Sequence, residues 1–206
     1  MKTNRTVPEV NAGSMADIAF LLLIFFLVTA SIEHDTGFNR MLPSQEIITT
    51  VDIKSRNLLE VSINPQNDLM VAGNIVPLSE LNAKVVAFLD NGGIPEGQTG
   101  FCGYCQGERI PTSSENPDKA IISLRASRSS DYAFYVSVQN EIIGAYNLLR
   151  NREGEKRFGA TYISMVSDYN KSEITGAEKV ELKRKIKVLQ SKFPQKLVEP
   201  ETINPN

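Results

Sequence analysis

The sequence predicts an α+β chain made of one N-terminal transmembrane helix, a small α/β sandwich with a mixed sheet and two helices on one face, and a C-terminal amphipathic helix. Three observations predict it. Ile18 to Ile32 reads IAFLLLIFFLVTASI, without a charge. Leu59, Val61 and Ile63 alternate with Glu60, Ser62 and Asn64, the period of a half-buried strand. Phe134, Val138, Ile142, Tyr146 and Leu149 recur at helical spacing between two further strand-like runs.

The apolar run sets the class. Its fifteen residues cover roughly 22 Å at 1.5 Å per residue, whereas a bilayer core of about 30 Å needs about 20 residues. A spanning helix therefore recruits the small residues upstream and runs over residues 12–32, which places Asp17 inside the bilayer. Lys2 and Arg5 precede the span, while Glu33, His34 and Asp35 follow it, so the tail of residues 1–11 is expected in the cytoplasm and the bulk of the chain outside it. A cleaved signal peptide ending near Val28-Thr29-Ala30 is the alternative, and it leaves a soluble mature protein. Glu9 and Asp17 argue against it, because an acid touching the apolar core is unusual for a signal peptide. Asp17 also has a purely structural reading. Ser14 followed three residues later by Asp17 resembles a capping box, with the carboxylate receiving backbone donors at a helix start. Inside a spanning segment an ionisable side chain marks an ion path or a buried partner instead.

Residues 33–57 read as an extended linker, polar and punctuated by Gly37, Pro43 and Ser44. Within it Ile47 to Ile53 is rich in β-branched residues and is either an ordinary edge strand or a strand that pairs with a partner or a second copy. A folded domain spans residues 58–168. After its first strand comes the turn Asn64-Pro65-Gln66-Asn67-Asp68, then a hairpin about Gly73-Asn74 and a helix from Glu80 to Leu89 carrying Leu81, Val85, Phe88 and Leu89. A loop insertion over residues 91–117 precedes a strand from Ala120 to Ala126. A helix from about Asp131 to Arg150 leads to a last strand from Thr161 to Val166, and this order implies a right-handed parallel crossover. Residues 169–206 hold a helix from Glu178 to Phe193, opened by a box at Thr175 and Glu178, and a disordered tail beyond Pro194. Its seam of Leu182, Ile186, Leu189 and Phe193 either docks on the domain or pairs with a copy of itself. Lys183, Arg184, Lys185 and Lys187 on its other faces read most simply as solvation.

Composition limits the chemistry. A net charge of −2 over 206 residues gives no basic footprint for nucleic acid. The single histidine, His34, lies in the linker, so the domain cannot build a serine or cysteine triad on a histidine base, and no enzyme is expected. Cys102 and Cys105 lie in the glycine-rich loop. Outside the cytoplasm they pair as a local disulfide; with His34 they make only three zinc ligands, and a thioredoxin-type site would stand at a helix start, so no metal and no cofactor are expected.

Asn11 through Ile32, NAGSMADIAFLLLIFFLVTASI, resembles the membrane segment of the ExbD/TolR family of biopolymer-transport proteins. Asn11 shortly before the helix, Asp17 at its cytoplasmic side, the Leu/Ile/Phe run and Leu42-Pro43 after it carry the resemblance, which extends over roughly residues 9–168. It implies a subunit of an inner-membrane motor driven by the proton-motive force, which energises TonB-dependent transport across the outer membrane. Its implied partners are a multi-span ExbB/TolQ-like protein, a TonB-like energy transducer, membrane lipid and a second copy in a homodimer. Asp17 corresponds to the carboxylate that carries the proton, and Thr29 to a polar position in the motor's lumen. The cysteine loop and the basic helix depart from the family pattern, as does Ser14-Met15-Ala16, which stands where many members have proline. The competing class is a membrane-anchored or secreted periplasmic binding or redox domain, for which the N-terminal segment is only an anchor or signal.

Overall fold

The computed structural model describes residues 12–30, 53–171 and 175–200. The chain divides into two compact units, residues 1–44 and residues 45–206. The first contains α1 (Ala12–Ala30), built from Ala, Leu, Ile and Phe with no proline to interrupt its hydrogen bonds. The strand expected from Ile47 lies outside the described residues up to Ile53, as do residues 31–52 of the linker.

The second unit is a five-stranded mixed sheet in the order β3-β2-β1-β4-β5, covered by helices. After a 3-10 turn at Ser55–Asn57, β1 (Leu58–Ile63) buries the alternating set Leu59, Val61 and Ile63. The following turn is held by Asn64, whose Oδ1 accepts from the Gln66 and Asp68 amides at 2.9 and 2.8 Å. β2 (Leu69–Val71) returns antiparallel to β1, and β3 (Asn74–Ile75) returns antiparallel to β2. Val71 faces Asn74, so the two-residue turn is Ala72-Gly73, one position earlier than expected. Both residues have positive φ, +48° and +80°, as a hairpin turn matching the strand twist requires.

α2 (Leu78–Leu89) buries the expected Leu81, Val85, Phe88 and Leu89. It sits on the crossover that brings β4 (Ile121–Ala126) parallel to β1, with Leu59 beside Ile122 and Val61 beside Leu124. α3 (Tyr132–Phe158) begins where the Asp131 carboxylate accepts the Ala133 amide at 3.0 Å. It outruns the predicted end at Arg150 by two turns, stopping where Gly159 takes φ +68°. The apolar stripe fades past Arg150, but Arg150 and Glu153 are themselves buried, so the packed face continues through polar residues. β1, β2, β4, α2 and α3 share one core, which also receives Phe193 and Leu197.

The C-terminal part corrects the sequence reading twice. Thr161 to Val166 is not a strand; Tyr162–Asn170 forms α4, capped by Thr161 through the Ser164 amide at 3.0 Å. Its aromatic and β-branched content suggested a strand, yet Tyr162, Met165, Val166 and Tyr169 are spaced 3, 4 and 7 apart and pack on one side. The reversal from α3 into α4 needs Gly154, because a Cβ there would come within 2.7 Å of the Ala160 carbonyl oxygen. The tail beyond Pro194 is not wholly disordered either: β5 (Leu197–Val198) adds to the sheet parallel to β4. Between them α5 (Gly176–Lys192) carries the expected box, with the Glu178 side chain and Thr175 capping each other's backbone. Its seam docks on the same chain, as Ile186 and Leu189 close a small second core with Tyr162 and Met165.

Candidate functional site

Asp17 lies on α1, past the first turn, which holds no acidic residue. The helix starts at Ala12 and runs through Ser14, so Ser14 is not its N-cap and the capping-box reading of Ser14 and Asp17 does not hold. Helical spacing stacks Asp17 with Gly13 on one side and Phe20, Leu21 and Ile24 on the other. Around the helix Met15, Ile18, Leu22, Leu23, Phe25 and Phe26 are exposed as well. The exposed apolar side chains of α1 thus lie on every side of the helix rather than in one stripe. Among the described residues no basic side chain pairs with Asp17. Thr29 sits in the last turn of α1, about 18 Å along the axis and roughly 120° around it from Asp17, so the two positions share neither a level nor a face. Among the described residues no helix is long and apolar enough to cross a membrane; the 19 residues of α1 rise about 28 Å.

Cys102 and Cys105 are joined as a disulfide and are both buried. The loop around them is fastened rather than loose. Arg109 donates to the Cys102 and Cys105 carbonyls at 3.3 Å and lies over the Phe101 ring. Asn91 donates to the Ile110 and Ser114 carbonyls at 2.9 and 2.8 Å and accepts the Ile110 amide. Gly107 passes so close to the end of α2 that a Cβ would meet the Asp90 carbonyl oxygen at 2.6 Å. Between the cysteines, Tyr104 reaches the end of α5, donating to the Lys192 carbonyl and packing edge-on against Phe193. Burial, with the nearby carboxylates Asp118, Glu153 and Asp90, pushes its hydroxyl up to about 12. Among the described residues no group of His, Cys, Asp or Glu could hold a metal ion. His34 lies outside them.

Three buried carboxylates escaped the sequence reading. Glu115, 1% exposed, receives Lys54 at 2.7 Å, Lys119 at 2.9 Å and Arg56. Hydrogen bonds from Lys119, Lys54 and Arg56 hold its carboxyl well below the usual carboxylate range, outweighing burial. Asp90 receives both terminal nitrogens of Arg152 at 2.6 and 2.8 Å, tying the end of α2 to α3. Burial pushes Glu153 up, but Lys192 and Arg157 outweigh it and leave it below its ordinary value. Each carboxylate is paired with at least one cation, which suits a framework role. Only the i,i+4 spacings of Glu115 with Lys119 and of Glu153 with Arg157 are visible in sequence. A separate hollow of about 310 Å³ lies at the C-terminal ends of the parallel strands β1 and β4, lined by Ser62, Ile63, Asn64, Pro65, Arg125, Ala126 and Ser127.

A family model described as "ExbD: Biopolymer transport protein ExbD/TolR" matches residues 3–148. The match takes in α1, the sheet as far as β4, α2 and most of α3; α4, α5 and β5 lie beyond it. It therefore starts earlier and ends sooner than the span of resemblance read from the sequence. No curated protein matches the chain.

Proposed function

As the chain belongs to the ExbD/TolR family of biopolymer transport proteins, we propose that it is the single-span subunit of an ion-driven motor in the inner membrane. In this reading α1 crosses the bilayer with Asp17 as the proton-carrying carboxylate, and the domain after Ile53 lies in the periplasm. The observation that carries it is a lone carboxylate beyond the first turn of a helix that is otherwise uncharged and exposes apolar side chains on every side. The 19 residues of α1 rise about 28 Å, close to a bilayer core of about 30 Å. The disulfide supports an oxidising space for the domain.

A single helix cannot shelter Asp17 by itself. A second copy and a multi-span ExbB/TolQ-like partner supply an apolar housing in which the carboxyl is favoured when protonated, while access to water at either side favours its charged form. Alternation between the two forms lets protons load from one side and leave to the other. Each charge crossing the membrane potential releases about 2.3 kcal/mol per 100 mV, so several protons suffice to turn a helix pair against its housing. The sheet domain then transmits the movement to a TonB-like transducer, energising transport across the outer membrane. Thr29 takes the part of a second polar position facing the housing. The rival reading, an anchored or secreted binding or redox domain, assigns Asp17 no work.

Affinity purification of the tagged full chain from membranes, followed by native mass spectrometry, tests the assembly. Two copies together with a multi-span partner are expected. A strictly monomeric chain, or a mature N-terminus near Ser31, contradicts the proposal.

A further inference from the structure

Beyond the stretch matched by the family model, α4 and α5 form a hairpin with a small core of its own, in which Ile186 and Leu189 face Tyr162 and Met165. With that side of α5 buried, helical spacing places Val180, Lys183, Arg184 and Lys187 on the outward side, and all four are exposed. Val180 is 70% exposed, an apolar side chain among three cations.

The other charges of α5 are spent. Lys179 lies over the Tyr169 ring, Lys185 pairs with Glu181 at 2.8 Å, and Lys192 pairs with Glu153 at 2.9 Å and covers the Tyr104 ring. Glu178 closes the capping box. Among the described residues no ion pair joins Lys183, Arg184 or Lys187 to a carboxylate, although Glu181, the partner of Lys185, also acts electrostatically on Arg184. In a chain of net charge −2 this is a basic stripe with one acid, Glu181, at its edge.

We propose that this face of α5 docks on anionic phospholipid headgroups of the membrane that anchors the chain. The proposal rests on the reading of α1 as that anchor. Charge complementarity selects an anionic surface, and the tether selects lipid. Residues between Ala30 and Ile53 reach at most about 80 Å when fully extended, so the membrane surface is present at high effective concentration. Three cations near an anionic surface, each contributing about fivefold, favour the docked form by about a hundredfold at moderate salt. Val180 adds apolar contact at the headgroup boundary.

The test uses the full chain reconstituted in vesicles of phosphatidylcholine alone or with added phosphatidylglycerol. A fluorophore is attached at Val180→Cys, and its quenching by acrylamide is measured. Several-fold protection is expected only with the anionic lipid. It is expected to vanish in about 1 M salt, where screening reaches within about 3 Å, and in the combined variant Lys183→Gln, Arg184→Gln, Lys187→Gln. Equal quenching on both vesicles, or protection that survives in the triple variant, overturns the proposal. Equal protection on neutral vesicles by a soluble acidic polymer overturns the choice of lipid. Flotation of the chain with neutral vesicles reports on the anchor separately: lost flotation sinks the reading of α1, whereas retained flotation without protection sinks only the docking of α5.

Discussion

Tyr104 donates its hydroxyl to the carbonyl of Lys192 at 2.8 Å, fastening the disulfide loop to the end of α5, 88 positions away. The contact is reinforced from both sides, since the Lys192 ammonium lies 3.7 Å from the ring centroid and Phe193 packs edge-on at 5.4 Å. Phe193 in turn accepts both Nε and Nη2 of the buried Arg150 at 3.1 and 2.7 Å. Tyr104→Phe removes one hydrogen bond and is expected to cost about 1 kcal/mol, whereas Tyr104→Ala also removes the packed ring and is expected to cost about 3 kcal/mol. Urea unfolding of the two variants measures the difference. Equal losses would show that ring packing contributes nothing.

The disulfide itself closes a very short loop, so its loss gives the unfolded chain little extra freedom. Cys102→Ser with Cys105→Ser is expected to lower stability by about 2 kcal/mol and to leave the fold intact, because Asn91 and Arg109 still fasten the loop through backbone carbonyls. Transport is expected to persist, since these residues stand outside the proposed ion path. A double variant that folds normally, by circular dichroism, yet abolishes transport contradicts this.

Glu115 gives a prediction in pH. Its carboxyl is held below the ordinary value of 4.5 by Lys119, Lys54 and Arg56. A carboxyl depressed by folding contributes stability that is fully present above its unfolded value and is lost as the pH falls toward the folded one. The wild-type domain is therefore expected to lose stability below about pH 4.5. Glu115→Gln is expected to cost about 2 kcal/mol at neutral pH, since its cationic partners are partly exposed, and to flatten the acid slope. Thermal melts of both proteins at neutral and acidic pH decide it, parallel slopes being the contrary result.

Legibility in the sequence followed the range of the interaction. Local signals carried well: the alternation at Leu59, Val61 and Ile63, the stripe on α2 and the box at Thr175 all reappear in the fold. What failed was short or distant. β5 has two residues, too few for any period, and exists because the Lys196 carbonyl accepts the Ile122 amide at 2.9 Å. α4 reads as a strand in sequence because its aromatic and β-branched residues mask a helical spacing. The long-range part of the polar framework is invisible in the sequence because Asp90 and Arg152 are 62 positions apart, and Glu115 meets Arg56 across 59. Asp17, by contrast, stood out from sequence alone as an acid against an apolar run. Only its place beyond the first turn required the structure.

The central claim is that Asp17 carries the ion. Between Glu9 and Glu33 it is the only ionisable side chain, and Thr29 and Ser31 cannot titrate in the relevant range. Asp17→Asn keeps the shape and much of the hydrogen bonding but fixes a neutral state, while Asp17→Glu restores a titrating group on a longer stem. The measurement is outer-membrane transport in cells carrying each variant, with complex assembly followed by pull-down of the multi-span partner. Asp17→Asn is expected to assemble and to abolish transport, and Asp17→Glu to retain part of it; wild-type transport by an assembled Asp17→Asn complex would remove Asp17 from the mechanism.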